Sequence, residues 1–158
     1  MIIIGIDPGI ERVGIAVLEK VGNKETFLYS ECFKTSPKLS HAQRLALIGE
    51  EITKVILAWE PSGMAIEKLF FETNSKTAMS VAEARGVMLY TAAKNGLSLF
   101  EYTPLEIKVA VTGYGKSDKR GVMSMVPRLI KLPGRKMIDD EVDAIAVALT
   151  AFAHEKIG

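Results

Sequence analysis

The sequence has few of the residues that build the commonest catalytic and metal sites. Among its 158 residues there is one cysteine, Cys32, and there are only two histidines. A single cysteine excludes an internal disulfide and any zinc site made of several cysteines. Two histidines also leave little from which to build a histidine-rich metal site or a serine–histidine–aspartate triad. Any chemistry in this chain therefore has to rest mainly on acids, bases and backbone groups.

Long apolar segments are also missing. No apolar run reaches the roughly 18 residues that a membrane-spanning helix needs. The first residues, Met1 to Asp7, lack the basic leader of a secretory signal, so we expect a cytoplasmic protein. The chain is 48% hydrophobic and 25% charged, which is typical of a globular protein, and it has no linker, repeat or low-complexity stretch. We predict a single domain over residues 1–158.

The net charge is close to zero, but the basic residues are unevenly placed. The chain carries 20 basic and 19 acidic residues, for a formal charge of +1. Between Pro104 and Lys136, however, eight basic residues face only two acidic ones. A local excess of this kind can bind a polyanion, although on charge alone a solvated helical surface is the simpler explanation.

The first part of the chain has the pattern of strands. Residues 2–7 form an isoleucine-rich run stopped by Pro8 and Gly9, which is typical of a strand buried on both faces. Two more strands, over residues 13–19 and 26–33, follow closely enough to form an antiparallel meander with the first.

The rest of the chain alternates helices with strands. Apolar residues recur at three- and four-residue steps from Leu45 to Trp59, which predicts an amphipathic helix. The later predicted elements are strands over 64–69 and 98–102 and helices over 77–94, 104–111, 118–131 and 140–155. Hairpins first and helical crossovers later predict an α/β layer fold, in which helices cover both faces of a mixed sheet.

Acidic residues stand at three places where a buried sheet does not need them. Asp7 ends the first predicted strand, Glu67 lies among apolar residues of the fourth, and Asp140 and Asp143 begin the last helix. Residues three apart share a helix face, so Asp140 and Asp143 can point to one spot; Asp139 and Asp143, four apart, can do the same. If this helix packs at the carboxyl ends of the first and fourth strands, four carboxylates converge.

Each acid taken alone has a simpler structural explanation. Asp-Pro-Gly commonly opens a turn, and acids in the first turn of a helix interact favourably with its dipole. Glu67 is harder to explain, unless it reaches water at a strand end, because an unpartnered buried carboxylate is costly. Converging carboxylates stay ionised only if cations neutralise them, and oxygen ligands favour Mg²⁺ or Mn²⁺. Two such ions can hydrolyse a phosphodiester without a Cys, Ser or His nucleophile.

Five segments form an ordered series along the chain. They are Gly5-Ile-Asp-Pro-Gly-Ile-Glu-Arg-Val-Gly-Ile-Ala, Ala65-Ile-Glu-Lys-Leu-Phe, Asn74 with Glu83-Ala-Arg-Gly-Val, Phe100-Glu-Tyr with Ile107-Lys-Val-Ala-Val-Thr-Gly-Tyr-Gly-Lys-Ser-Asp-Lys, and Asp140-Glu-Val-Asp-Ala-Ile-Ala-Val-Ala. In order and spacing this series resembles the RuvC family of bacterial Holliday-junction resolvases over nearly the whole chain. The resemblance implies a ribonuclease-H-like α/β fold, with a mixed five-stranded sheet of three antiparallel and then two parallel strands flanked by helices.

The resemblance also implies an activity. A homodimer with two identical active sites would cut four-way (Holliday) DNA junctions by symmetric paired nicks, leaving 5′-phosphate and 3′-hydroxyl ends. The family's catalytic, metal-binding acids fall on Asp7, Glu67, Asp140 and Asp143, and would hold two Mg²⁺ ions, which Mn²⁺ can replace. Asp139 lies beside the third acid, so which of the two neighbours reaches the metal stays open. The family works with the branch-migration complex of RuvA and RuvB, which is the expected partner.

DNA contacts are implied in the same way. Lys108 and Lys119 match family lysines near the DNA backbone, and Phe70 matches an aromatic residue near the junction centre. Either Phe70 or Phe71 can be the residue that faces DNA. Packing in the protein core is the alternative role for both. Weaker candidates for phosphate contacts are Arg85, Lys116 and Arg120. The apolar helix over 77–94 is the implied dimer interface, with burial in the core as the alternative.

Three other functions fit parts of the sequence. The segment from Gly5 to Gly14 is similar to the first phosphate loop of actin- and sugar-kinase-type ATP-binding domains, but those need two such domains. A ribonuclease-H-like nuclease of the YqgF type, which acts on RNA, is the main alternative, although Glu83-Ala-Arg-Gly and Gly113-Tyr-Gly-Lys-Ser favour the RuvC family. A DNA-binding module without catalysis is the third, and the presence of all four acids argues against it.

Overall fold

The computed structural model describes residues 1–69 and 75–155. Within them the order of strands and helices is the predicted one, and the predicted ends differ from the observed ends by at most one helical turn. The elements are β1 (Ile2–Asp7), β2 (Arg12–Val21), β3 (Lys24–Lys34), α1 (His41–Trp59), β4 (Gly63–Glu67), α2 (Ser75–Lys94), β5 (Ser98–Tyr102), α3 (Pro104–Thr112), α4 (Lys119–Leu129) and α5 (Asp139–His154). None of the helices in this described part is long and apolar enough to cross a membrane.

The five strands form one mixed sheet in the order β3-β2-β1-β4-β5. The first three strands pair antiparallel, and β1, β4 and β5 run parallel to one another. The predicted antiparallel meander and the two added parallel strands are therefore confirmed. Ile6 lies opposite Ile66 in the β1–β4 register, so the next residues, Asp7 and Glu67, end neighbouring strands at the same edge of the sheet.

Helices cover both faces of the sheet, as the order of elements predicted. Alternate residues of β1 point to opposite faces, because successive side chains of a strand do so. Ile3 belongs to a core formed with α3, α4 and α5, whereas Ile4 belongs to a second core formed with α1 and α2. The acidic edge of the sheet lies beside the first of these two layers, because α5 packs on β1, β2 and β4.

Two short helices of this layer begin at well-defined caps. The Thr103 hydroxyl accepts a hydrogen bond from the Glu106 N–H, and the Glu106 carboxylate accepts one from the Thr103 N–H, which starts α3. The Asp118 carboxylate accepts a hydrogen bond from the Gly121 N–H and starts α4. Such caps satisfy backbone donors that would otherwise be unpaired. They therefore fix where Lys108 and Lys119 lie on their helices.

Helix α5 is the central helix of the fold. The predicted apolar stripe is buried, and burial extends to every residue from Glu141 to Phe152 except Asp143. The helix backbone lies directly on the strands because two strand residues are glycines. A Cβ at Gly5 would overlap the Ala144 carbonyl oxygen, and a Cβ at Gly14 would overlap the Asp140 carbonyl oxygen. These close approaches place the beginning of α5 directly over β1 and β2.

Candidate active site

The four acids named from the sequence lie around one edge of the sheet. Asp7 ends β1, Glu67 ends β4, and Asp140 and Asp143 lie on the first turns of α5. Burial raises the pKa of Asp7 to about 8, and the negative charges of Asp143, Glu67 and Asp140 add to this rise. Asp7 is therefore the deepest member of a cluster whose charges act on one another. We call these four residues the acidic centre.

The other members of the acidic centre respond to the same surroundings. Burial raises the pKa of Glu67, and the charge of Asp143 adds to the rise, whereas Lys108 and Lys119 oppose it. Burial also raises the pKa of Asp143, against the opposing hydrogen bond and charge of Lys119. The centre thus holds more negative charge than its own lysines compensate, which is the electrostatic condition for binding cations.

Lys119 is the closest basic residue on the α4 side. Its Nζ lies 3.1 Å from Asp143 Oδ2 and 3.9 Å from Asp139 Oδ2. Lys119 and Lys108 both line a cavity that also contains Glu67 and Asp143. The apolar residues of α3, α4 and α5 that line the same cavity are Ile107, Val122, Ala146 and Val147. Two of the predicted phosphate-binding lysines therefore lie beside the acids, at the wall of one cavity.

Asp140 is paired with a different basic residue. The Arg12 guanidinium donates a hydrogen bond to Asp140 Oδ2, and the Cys32 thiol lies 3.7 Å from the same oxygen as a second donor. Asp139 is instead exposed, with 64% of its side chain accessible. The charge of Asp140 acts on Asp7, and that of Asp139 is not among the causes of the Asp7 shift. This geometry favours Asp140 as the third acid of the centre.

The acidic centre fits a hard divalent cation by the chemistry of its donors. All four side chains offer carboxylate oxygens, which Mg²⁺ and Mn²⁺ prefer. Across residues 1–69 and 75–155, however, no three acidic, histidine or cysteine side chains are arranged to hold one ion together. In this state Asp140 is bound to Arg12 and Asp143 is bound to Lys119.

The sequence pattern did not single out Glu141, a buried acid beside the centre. Glu141 is 3% exposed, and its carboxylate accepts hydrogen bonds from the Ser30 hydroxyl at 2.8 Å and the Ile138 N–H at 2.9 Å. The Arg135 guanidinium donates to both carboxylate oxygens, at 2.5 Å and 3.2 Å. Burial alone would raise its pKa, but the bonds from Arg135, Ile138 and Ser30 lower the pKa of Glu141. An acid at the third helical position, typical of a capping box, was the available signal.

The remaining DNA-contact candidates occupy different surroundings. Lys116 and Arg120 are exposed, on the loop before α4 and in its first turn. Arg85 has internal partners: its Nε donates to the Glu67 carbonyl oxygen at 2.9 Å, and its guanidinium pairs with Glu101. Only 15% of the Arg85 side chain is accessible, so contact between Arg85 and DNA stays a prediction. Phe70, like its neighbour Phe71, lies outside the described residues.

Helix α2 is buried on one side only. Ala84, Met88 and Ala92 belong to the core against α1 and the sheet. Met79 and Tyr90, in contrast, are 69% and 65% exposed. Core packing therefore explains part of the apolar surface of this helix and leaves two large side chains on its outer side.

The chain matches known proteins over most of its length. The family model described as "Crossover junction endodeoxyribonuclease RuvC" matches residues 3–151. A RuvC of Desulforamulus reducens is 42% identical over 149 residues, which cover 94% of this chain and 91% of the relative. A RuvC of Finegoldia magna is 44% identical over 149 residues, with the same coverage of both chains.

Solved structures agree with these relatives. A Thermus thermophilus RuvC in complex with Holliday junction substrate matches with a TM-score of 0.88 and 32% identity, over 96% of this chain and 93% of that one. A yeast mitochondrial Holliday junction resolvase matches with a TM-score of 0.66 at 12% identity, over 94% of this chain and 75% of that one, and this likeness concerns the fold alone. The ribonuclease-H-like fold expected from the five motifs is confirmed.

Proposed function

Because the chain belongs to the RuvC family of crossover junction endodeoxyribonucleases, we propose that it is a nuclease that resolves four-way (Holliday) DNA junctions. The observation that carries the proposal is the acidic centre, where the charges of Asp143, Glu67 and Asp140 act on Asp7. Two of these acids, Glu67 and Asp143, line one cavity together with Lys108 and Lys119. The similar Thermus thermophilus RuvC, whose structure contains a Holliday junction substrate, supports the choice of substrate.

The residues of the acidic centre have separate tasks in this proposal. Asp7, Glu67, Asp140 and Asp143 hold two Mg²⁺ ions, for which their oxygen donors and excess negative charge are suited. The bound ions supply the charge that activates water and stabilises the leaving oxygen in phosphodiester hydrolysis, giving 5′-phosphate and 3′-hydroxyl ends. Asp7 and Glu67 lie on rigid strand ends, and α5 carries the other two acids on one face.

Basic side chains around the centre bind the DNA backbone. Lys108 and Lys119 reach phosphates from the wall of the cavity, and Lys116 and Arg120 extend the positive surface outside it. Such contacts hold the DNA in position but read no sequence. The base contact implied for Phe70 and the weaker contact of Arg85 complete the proposed DNA-binding set.

We propose that the nuclease is a homodimer. Two symmetric nicks need two active sites, and a two-fold protein suits the approximate two-fold symmetry of a junction. The exposed Met79 and Tyr90 on the outer side of α2 support this helix as the interface. Sedimentation at micromolar concentration tests the dimer, and a purely monomeric species would contradict it. Residues 1–158 act as one nuclease domain, in the cytoplasm, with a RuvA–RuvB branch-migration complex as the partner.

Cleavage of a labelled synthetic four-way junction with Mg²⁺ tests the proposed reaction. Linear duplex and an RNA–DNA hybrid serve as substrates that differ in shape and in chemistry. Paired nicks at symmetric positions in the junction alone are the expected result. Cleavage of the hybrid would support a YqgF-type nuclease instead, and cleavage of none of the three would support a DNA-binding module.

Two neighbouring acids offer a matched pair of variants for this assay. Asp140→Asn removes a charge that acts on Asp7, whereas Asp139→Asn removes an exposed charge one residue away. We expect the first variant to lose cleavage and the second to keep it. The reverse result would show that Asp139 belongs to the acidic centre and Asp140 does not.

A further inference from the structure

The third acid of the acidic centre is held by the chain's own cation. Asp140 Oδ2 accepts hydrogen bonds from the Arg12 guanidinium and from the Cys32 thiol, so one carboxylate oxygen has two donors from neighbouring strands. The side chain of Asp140 is 22% accessible and that of Arg12 is 48% accessible. The pair therefore lies at the rim of the centre, where a small ion can reach it.

Arg12 lies on backbone that other contacts keep in place. It is the first residue of β2 and pairs with Lys34 of β3. The turn before it is held by Thr35, whose N–H donates to the Glu11 carbonyl at 3.0 Å and whose hydroxyl donates to the Ile10 carbonyl at 2.5 Å. Because the turn is tied to β3, the guanidinium approaches Asp140 from a defined position.

The pairing occupies a carboxylate oxygen that a metal ion would use. A carboxylate oxygen that accepts hydrogen bonds from a guanidinium and a thiol has to give them up before it can bind a metal ion. The charge of Asp140 also acts on Asp7 and on Asp143, and like charges close together destabilise one another. A basic partner removes that repulsion while no metal ion is bound.

We propose that Arg12 is a built-in counter-cation, which holds Asp140 in the metal-free protein and yields it to a divalent ion. The inference rests on the proposed function, because it requires that the acidic centre binds metal. Arg12 acts through Asp140 and is a positioning residue. Arg12 and Mg²⁺ therefore compete for Asp140. The Arg12–Asp140 pair weakens the apparent affinity of the centre for Mg²⁺ and stabilises the centre when no Mg²⁺ is bound.

Calorimetric titration of the DNA-free protein with Mg²⁺ tests the competition directly. For Arg12→Ala we expect a dissociation constant lower than that of the wild type by about two- to fivefold, the factor by which an exposed ion pair shifts an equilibrium. Arg12→Lys keeps a positive charge at the same place and should stay near the wild-type value. Lys54→Ala, which breaks the 2.9 Å pair between Lys54 and Glu51 on α1, is the matched control and should not change Mg²⁺ binding.

A second measurement needs no variant. Cys32 is the only cysteine of the chain, so the rate at which the wild type reacts with a dianionic disulfide reagent such as DTNB reports on this thiol alone. When Asp140 moves to a metal ion, the sulfur loses a neighbouring negative charge and keeps Arg12 nearby. Saturating Mg²⁺ should therefore speed the reaction, compared with monovalent salt of equal ionic strength.

The outcomes separate this inference from the function on which it rests. An Arg12→Ala protein that binds Mg²⁺ as tightly as the wild type, or more weakly, overturns the counter-cation role. A DTNB rate that does not respond to bound Mg²⁺ does the same. A wild type that binds no Mg²⁺ and cuts no junction overturns the proposed function itself.

Discussion

Two kinds of carboxylate lie near the beginning of α5, and they have opposite properties. Glu141 is almost completely buried, yet its pKa is lowered because Arg135, Ile138 and Ser30 all donate hydrogen bonds to it. Asp7, which packs beside the same helix end, has its pKa raised to about 8 because burial and neighbouring acids both disfavour its charge. Burial alone therefore does not decide the charge of a carboxylate here; the neighbours do.

This difference in partners distinguishes a carboxylate that stabilises the fold from carboxylates of a candidate functional site. Glu141 has found its partners within the fold, so it joins α5 to β3 and to the loop that carries Arg135. The acidic centre has fewer partners within the fold, and the pKa values of Asp7, Glu67 and Asp143 are all raised. Polar groups with satisfied bonds stabilise a structure, whereas groups with shifted pKa values cluster at functional sites.

The largest expected effect is on catalysis and concerns the acidic centre. Asp7→Asn keeps the shape of the side chain and removes the deepest charge of the acidic centre. We expect junction cleavage to fall by about 10³-fold or more, the scale of loss for a member of a catalytic unit. Junction binding should persist or tighten, because the repulsion between Asp7 and phosphates is gone. Gel-shift and cleavage assays on the same preparation measure both, and full cleavage would remove Asp7 from the mechanism.

The next largest effect is on stability and concerns Glu141, whose hydrogen bonds are satisfied within the fold. Glu141→Ala leaves the Arg135 guanidinium, the Ser30 hydroxyl and the Ile138 N–H without their shared acceptor. We expect the free energy of unfolding to fall by about 2–3 kcal/mol, since Arg135 is half-exposed and water replaces part of its loss. Urea unfolding measures the change. Glu141→Gln, which keeps an acceptor oxygen, should lose less, and an unchanged stability in both variants would break the comparison.

A smaller effect concerns pH, and the two sides of the comparison should respond in opposite directions. The pKa of Asp7 is about 8 in the folded protein against 3.8 for an ordinary aspartate, so its stabilising contribution is complete below about pH 4 and is lost as the pH rises towards 8. The pKa of Glu141 is lowered, so its contribution is present above the ordinary value of 4.5 and is lost as the pH falls.

Thermal unfolding in EDTA as a function of pH tests this expectation. Between about pH 4 and pH 8, Asp7→Asn should flatten the decline in stability and be more stable than the wild type at the upper end. Added Mg²⁺ should restore the wild type at the same pH. Parallel curves for the wild type and the variant would mean that Asp7 titrates normally.

The smallest effect concerns a cation that faces the acidic centre. Lys119→Ala removes one proposed phosphate contact, so junction binding should weaken and its logarithmic dependence on salt should flatten by about one unit. Lys54→Ala, on α1, is a control that should leave the slope unchanged. If Lys119→Ala keeps the salt dependence of the wild type, Lys119 pairs with Asp143 and does not contact DNA.

Much of the fold followed from local patterns. The isoleucine run that ends at Asp7 and the three- and four-residue periodicity before Trp59 each describe one element, so they could be interpreted without a partner. The acids could be found for the same reason, since Asp140 and Asp143 share a helix face through their spacing alone. The pairing of Asp140 with Arg12 could not be found, because 128 positions separate the two residues and only the packing of α5 on β2 joins them.

The sequence by itself determined the order of the elements, the strand-end and helix-face positions of the acids, and the series of motifs that identifies the family, because these are properties of neighbours along the chain. Only the tertiary structure decided which acids have partners. Gly5 and Gly14 let α5 lie against β1 and β2, and this contact brings Asp140 to Arg12 and Glu141 to Ser30. The charge state of a carboxylate depends on its neighbours in space, and those are set by packing.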